Sequence, residues 1–225
     1  MCIRDSYNGE DYYLQVDCHT RFRENWDELL IDNLEKYISV GNNCILTGYP
    51  PGYWYEEDGT EGLDLKSLGT RIVINKKTSR DQFKNNRTIN QEAKNINNIF
   101  CSESISGGFI FGRGEIHKVK PHPGILYGEE FLQAMFFYCK GYNLMNPDVP
   151  CVFHLYGNNS KRIHPALLYP KECNKLSEVS KYVLKTLLSG DVSDISYKIW
   201  ADGPRNIEMF GKYLNIDFKS GHIYG

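Results

Sequence analysis

Apolar residues in this chain come in two rhythms, and the contrast between them limits the folds open to it. "NWDELLIDNLEKYISV" spaces Trp26, Leu29, Leu30, Leu34, Tyr37 and Ile38 near one helical face, and Gly41 follows as a stop. "YGEEFLQAMFFYCKGYNLMNP" opens with acidic residues, which suit the positive end of a helix. It continues apolar, stops at Gly141, and is followed by Asn146-Pro147. A third helical segment covers "LSEVSKYVLKTLLSG" at 176–190. Elsewhere the apolar runs are short and punctuated. They are Tyr12–Val16, "NCILT" ahead of Gly48, Pro50 and Pro51, "RIVIN" at 71–75, Phe109–Phe111 between glycines, and Cys151–Tyr156. Runs of this length read as buried strands. Strands alternating with helices predict an α/β fold.

A chain of 225 residues can hold one domain with a sizeable core. The net charge of −2, with no Lys/Arg run, argues against a nucleic-acid surface. No apolar stretch approaches a membrane span. Seven cysteines, at 2, 18, 44, 101, 139, 151 and 173, form no CxxC pair, and Cys139 and Cys151 sit inside apolar runs as small hydrophobes. That usage favours a reduced, cytoplasmic setting. The Asn-rich segment 76–100 reads as a solvated loop insertion.

Four short features invite chemistry, the first of them near the start of the chain. Asp17-Cys18-His19 directly follows the strand Tyr12–Val16. In extended backbone, residues two apart point to the same side, so the Asp17 carboxylate and His19 imidazole can converge on one divalent cation. The alternative is a polar pair that simply ends a strand. His154, inside another strand, is either a hydrogen-bonded core histidine or a third ligand if the two strands meet. Glu129 and Glu130 stand at a helix start, where they favour the helix dipole or face a cleft as substrate-binding groups. Gly107-Gly108 before Phe109 permits a close backbone approach to a ligand, or a bulge.

Taken in order, "YYLQVDCHTRF", "NWDELL", "TGYPPGY", "SGGFIFGRG", "YGEEF", "GYNLMNP" and "FHLYG" resemble the Skp1-type hydroxyproline GlcNAc-transferase family. That family is similar to the polypeptide N-acetylgalactosaminyltransferases. The resemblance runs from about Tyr7 to the "YLNIDF" near the end. It implies a GT-A fold with a mixed sheet flanked by helices, a UDP-sugar donor, a protein acceptor, Mn²⁺ or another divalent cation, and retention of anomeric configuration. By the same resemblance, Asp17 and His19 are the metal-binding Asp-x-His and His154 the later metal-binding histidine. Gly107 and Gly108, leading into Phe109, match the strand beneath the donor sugar. Glu129 and Glu130 match the acidic motif facing donor and acceptor, and Arg21 and Trp26 line the site.

The resemblance also implies an N-terminal α/β unit that holds uracil and ribose before the Asp-x-His strand. Its absence from this sequence leads to the expectation of an N-terminally truncated catalytic domain over 7–225, inactive alone, with exposed sheet edges. Met1 to Ser6 read as a non-native, adapter-like scar, because a back-translation of them resembles a transposon-end sequencing adapter. A non-catalytic sugar-binding module and a metal-dependent hydrolase are the competing functions. Neither accounts for the ordered motif series.

Overall fold

The computed structural model describes residues 7–74, 88–89, 101–120, 125, 128–156, 168–189, 202–220 and 222–223. Met1 to Ser6, and the Asn-rich segment apart from Thr88 and Ile89, lie outside the described residues. The chain forms two compact units. One gathers Met1–Val73, Thr88–Lys118 and Asn143–Lys161; the other gathers Ile74–Arg87, Val119–Tyr142 and Arg162–Gly225.

The first unit contains β1 (Tyr12–Val16), β2 (Thr20–Phe22), α1 (Trp26–Ser39), β3 (Cys44–Thr47), β4 (Gly52–Tyr55), β5 (Glu61–Leu63), β6 (Arg71–Ile72), β7 (Thr88–Ile89), β8 (Phe109–Arg113), β9 (Asn143–Met145) and β10 (Val152–Leu155). Two four-stranded sheets result, in the orders β1-β8-β3-β9 and β2-β10-β4-β5, and β6 pairs with β7 apart from them. Each larger sheet is mixed, with β3–β9 and β10–β4 parallel and the other neighbours antiparallel. The fold is α/β, with mixed sheets flanked by helices, compatible with a GT-A-like architecture.

Helix α1 carries Asp27 and Glu28 in its first turn and Lys36 in its last, both in the sense its dipole favours. It ends where the sequence predicts. Gly41 takes φ +86°, its N–H donates to Ile38 O at 2.9 Å, and Asn42 N–H reaches back to Tyr37 O at 3.1 Å. This is a Schellman stop, which needs a left-handed residue and therefore favours glycine. Leu30 and Leu34, one turn apart, are fully buried with Leu46, Phe109, Phe111 and Met145. Each such leucine contributes roughly 1.5–3 kcal/mol of burial free energy. Glu35 anchors the helix to the sheet, accepting from Tyr12 Oη at 3.2 Å and pairing with Arg113 at 2.6 Å. Tyr12 and Arg113 are themselves directly opposite in the β1–β8 register.

Three differences from the sequence reading have local causes. β1 is half-buried and takes an outer position among the described strands, pairing only along its β8 side. Its faces are packed, with Tyr12 stacked on Phe111 at 5.8 Å, but it lacks the cover of a central strand. The strand at 71–75 shortens to Arg71–Ile72, because its described partner β7 is itself only two residues long. After Gly48-Tyr49-Pro50-Pro51 comes a strand that the apolar runs do not announce. Gly52–Tyr55 becomes a strand of the second sheet, so the proline pair turns the backbone out of one sheet and into the other.

The second unit contains α2 (Glu129–Cys139), α3 (Pro170–Ser189), α4 (Ile207–Tyr213), and the short pair β11 (Ile216–Asp217) and β12 (His222–Ile223). Phe131 to Phe137 of α2 are all buried, which marks a helix enclosed on nearly every side. Phe131 meets Phe210 of α4 at 5.7 Å, and Gly141 at φ +94° closes α2 with the same stop as α1. α3 begins earlier than its apolar spacing suggests, at Pro170, whose fixed φ suits a first helical position. Its buried residues Cys173, Ser180, Val183, Leu187 and Leu188 form one stripe. No helix among the described residues is long and apolar enough to cross a membrane.

Candidate metal centre

The tripeptide Asp17-Cys18-His19 is the whole connection between β1 of the first sheet and β2 of the second. Asp17 is therefore fixed by β1 and His19 by β2. His154 arrives on β10, which lies between β2 and β4. The three side chains meet, with one ligand atom from each lying within 4.8 Å of the others. His154 Nε2 is 3.1 Å from Asp17 Oδ2, and His19 Nε2 is 3.7 Å from the same oxygen. The two imidazoles stand edge-to-face at 4.2 Å and 68°.

The histidine side chains are only 14% and 13% exposed, whereas Asp17 is 42% exposed, so the cluster opens to solvent on the carboxylate side. One carboxylate oxygen and two imidazole nitrogens are a donor set suited to a divalent first-row cation. Cys18 turns aside and is exposed, its Sγ 3.6 Å from His19 Nδ1.

Backbone geometry shapes the surroundings of Asp17. Gln15 Nε2 donates to Gly107 O at 2.8 Å, and Gly108 N–H donates to Ser106 Oγ at 3.2 Å. A Cβ on Gly108 would stand 3.0 Å from Asp17 Oδ2 and 3.2 Å from its Cγ. The carboxylate thus packs on bare backbone, a close approach that only glycine leaves free. On the other side, the Tyr156 ring lies 4.5 Å from His154 and beside Gly52, and its hydroxyl donates to Pro50 O at 2.8 Å. Burial, and secondarily the Asp17 charge, push the Tyr156 hydroxyl up to about 12.

The remaining residues singled out in the sequence have their own places. Phe109 is 2% exposed in the core. Trp26 starts α1 and packs on Phe22 at 4.5 Å. Arg21 pairs with Glu61 at 2.7 Å, donates to Tyr55 Oη at 3.1 Å, and lies 5.0 Å over the Tyr53 ring. Strand alternation puts Arg21 on the face of the second sheet opposite Thr20 and His154, which are directly paired. Glu129 and Glu130 begin α2 in the other unit, after Gly128 at φ +78°. Glu129 keeps an exposed side, yet desolvation of its carboxyl, with the Glu130 charge as a smaller cause, raises its pKa above the ordinary value.

Three neighbours of the cluster escaped the sequence reading. Tyr156 was detectable in principle, because it stands two residues beyond His154, just past the end of β10, where extended backbone keeps it on the same face. Thr20 and Gly52 flank His154 through long-range pairing, antiparallel with β2 and parallel with β4, which nothing local encodes.

Residues 2–202 match the model of a protein family described as Glycosyltransferase (GlcNAc). No curated protein matches the chain.

Proposed function

The chain belongs to the GlcNAc glycosyltransferase family, and from that membership we propose a metal-dependent, retaining transferase that moves GlcNAc or a related sugar from a UDP-sugar to a protein hydroxyl such as that of hydroxyproline. The observation that carries the metal dependence is the meeting of Asp17, His19 and His154, three residues on three strands, at one solvent-open point. The residues present fit a divalent cation. One carboxylate oxygen and two imidazole nitrogens lie within 4.8 Å of one another, and Gly108 leaves the Asp17 carboxylate unobstructed. When bound, Mn²⁺ or another divalent ion supplies charge neutralisation for the departing diphosphate.

The chain's own residues perform the rest. Asp17, His19 and His154 hold the cation site, and the open Asp17 side admits phosphate oxygens. The Gly107-Gly108 backbone lies against Asp17 and offers the donor sugar a surface without side chains. Glu129 and Glu130 orient the sugar or acceptor hydroxyl and stabilise positive charge at the anomeric carbon, as positioning groups more than bases. Retention follows from front-face attack, in which the acceptor hydroxyl passes its proton to the leaving phosphate. Arg21, Trp26 and Phe109 belong to the lining of the donor and substrate approach.

Incubation of the chain, joined to a unit that holds uracil and ribose, with UDP-GlcNAc, Mn²⁺ and a hydroxyprolyl peptide tests the proposal. A peptide mass increased by one GlcNAc, lost on chelation and lost in Asp17→Ala, is the expected result. UDP release that proceeds equally without peptide would instead assign a hydrolase.

A further inference from the structure

The β4–β5 hairpin carries a tryptophan that its own fold holds flat. Trp54 stands directly opposite Gly62, and a Cβ on that glycine would collide with Cε2, Nε1 and Cζ2 of the indole. The ring therefore lies on bare backbone, an aromatic cover for a glycine. Its Nε1–H donates to Glu56 Oε1 at 2.6 Å. The turn beyond is fixed as well: Glu56 N–H donates to Thr60 O at 2.8 Å, Gly59 takes φ +83°, and Asp58 Oδ1 accepts from Thr60 N–H at 2.9 Å. Trp54 nevertheless stays 44% exposed. It lies two residues beyond Gly52, the β4 neighbour of His154, so strand alternation puts it on the metal-site face of the sheet. Tyr156, 50% exposed on that face, lies over Gly52 in the same way, with its hydroxyl given to Pro50 O.

Cover of a glycine accounts for where the indole lies, but not for the charge around it. Residues 52–65 include Glu56, Glu57, Asp58, Glu61 and Asp64 and no Lys or Arg. Arg21 answers Glu61 from the opposite face, which leaves Glu56, Glu57 and Asp58 exposed at the turn. Both exposed rings have their polar groups engaged within the chain, so what they offer a ligand is a π face. A π face beside carboxylates attracts a cation, and tryptophan does so best. We infer that Trp54 and the acidic turn dock the acceptor polypeptide through a Lys or Arg about four residues from its acceptor hydroxyl. The inference rests on the transferase reading with a protein acceptor. The spacing follows from the strand: Glu56 is four residues along β4 from Gly52, roughly 13 Å from the metal cluster, and an extended acceptor covers that span in the same number of residues.

Fluorescence anisotropy of labelled hydroxyprolyl peptides, with Mn²⁺ present, tests this. One peptide carries Lys four residues before the hydroxyproline, one four residues after it, and one Glu at both places. One of the lysine peptides should bind more tightly than the glutamate peptide, and the preference should shrink as salt rises toward about 1 M. Trp54→Leu should weaken that lysine peptide roughly two- to fivefold, and Trp54→Phe should recover part of the loss. Should the leucine variant not fold, the double change Glu56→Gln and Glu57→Gln decides, because it should erase the preference with the indole in place. Equal binding of the three peptides, no binding of any, or a preference that survives these variants overturns the inference. So does Trp54-dependent binding of chitotriose in place of the peptides, which would assign the face to a neutral glycan. The same peptides in the transfer assay separate the two readings. Equal transfer to lysine and glutamate peptides overturns the docking role and leaves the transferase standing; lysine-selective binding without any transfer overturns the transferase and leaves a docking face for basic polypeptides.

Discussion

The two faces of the second sheet are built from alternate residues of the same strands, yet they are finished differently. On one face, Arg21 is held by Glu61, Tyr55 and Tyr53, and Phe153 beneath it is fully buried. On the other, Thr20 and His154 carry unpartnered buried atoms, and their neighbour on β4 is glycine. The first face meets the requirement that buried or paired polar groups be satisfied; the second departs from it at the one place where three metal-type ligands converge. A sheet face that is closed and complete is structural. One left incomplete around a carboxylate and two imidazoles presents the donors that a divalent cation would use.

The hardest test of that contrast is to remove a ligand. Asp17→Ala or His154→Ala should weaken Mn²⁺ binding by more than the roughly 10–100-fold that loss of an outer-shell partner gives, with the far-UV spectrum unchanged. Asp17 is 42% exposed at the mouth of the cluster, so its removal empties no core. Undiminished Mn²⁺ affinity in either variant would show that the second face is incomplete for some other reason.

How much of this was legible beforehand follows a physical division. The helices, their glycine stops and most strands are local, written in spacing and in the left-handed demand at Gly41 and Gly141. Asp17 and His19 were legible for the same reason, being two residues apart in extended chain. That His154 joins them is non-local: it depends on β10 pairing with β2 across the fold, which single-sequence periodicity does not contain. The motif order supplied that expectation through family resemblance, and the match over residues 2–202 supports the family. Thr20 lay next to His19 in plain view, but its place beside the cluster appears only once the strand register sets it opposite His154.

A smaller and more selective effect is expected at Gly108. An added methyl would stand 3.0 Å from Asp17 Oδ2, so the carboxylate must give by a few tenths of an ångström. Gly108→Ala should weaken Mn²⁺ binding on the order of tenfold, short of the 10²-fold that a full ångström of misplacement can cost. Its backbone φ lies outside the glycine-favouring range, so alanine is not strained there. Thermal stability should hold or rise by about 0.4–1 kcal/mol through a less flexible unfolded chain. Metal affinity and stability would thus move apart. If both fall together, Gly108 serves folding and the bare backbone beside Asp17 has no special part in the site.

The smallest effect belongs to the finished face. Arg21 holds the Glu61 carboxyl below its ordinary value of 4.5 through the side-chain hydrogen bonds between them. A carboxyl whose folded pKa is depressed contributes stability above its unfolded value, and that contribution fades as pH falls toward and through the lowered folded value. The pair is solvent-exposed, so Arg21→Ala should lower the melting temperature only slightly at neutral pH. The difference from wild type should shrink below about pH 4.5. Mn²⁺ affinity should stay as it is, because Arg21 points away from His154. Loss of Mn²⁺ binding in Arg21→Ala would join the two faces functionally and tie Arg21 to the metal cluster itself.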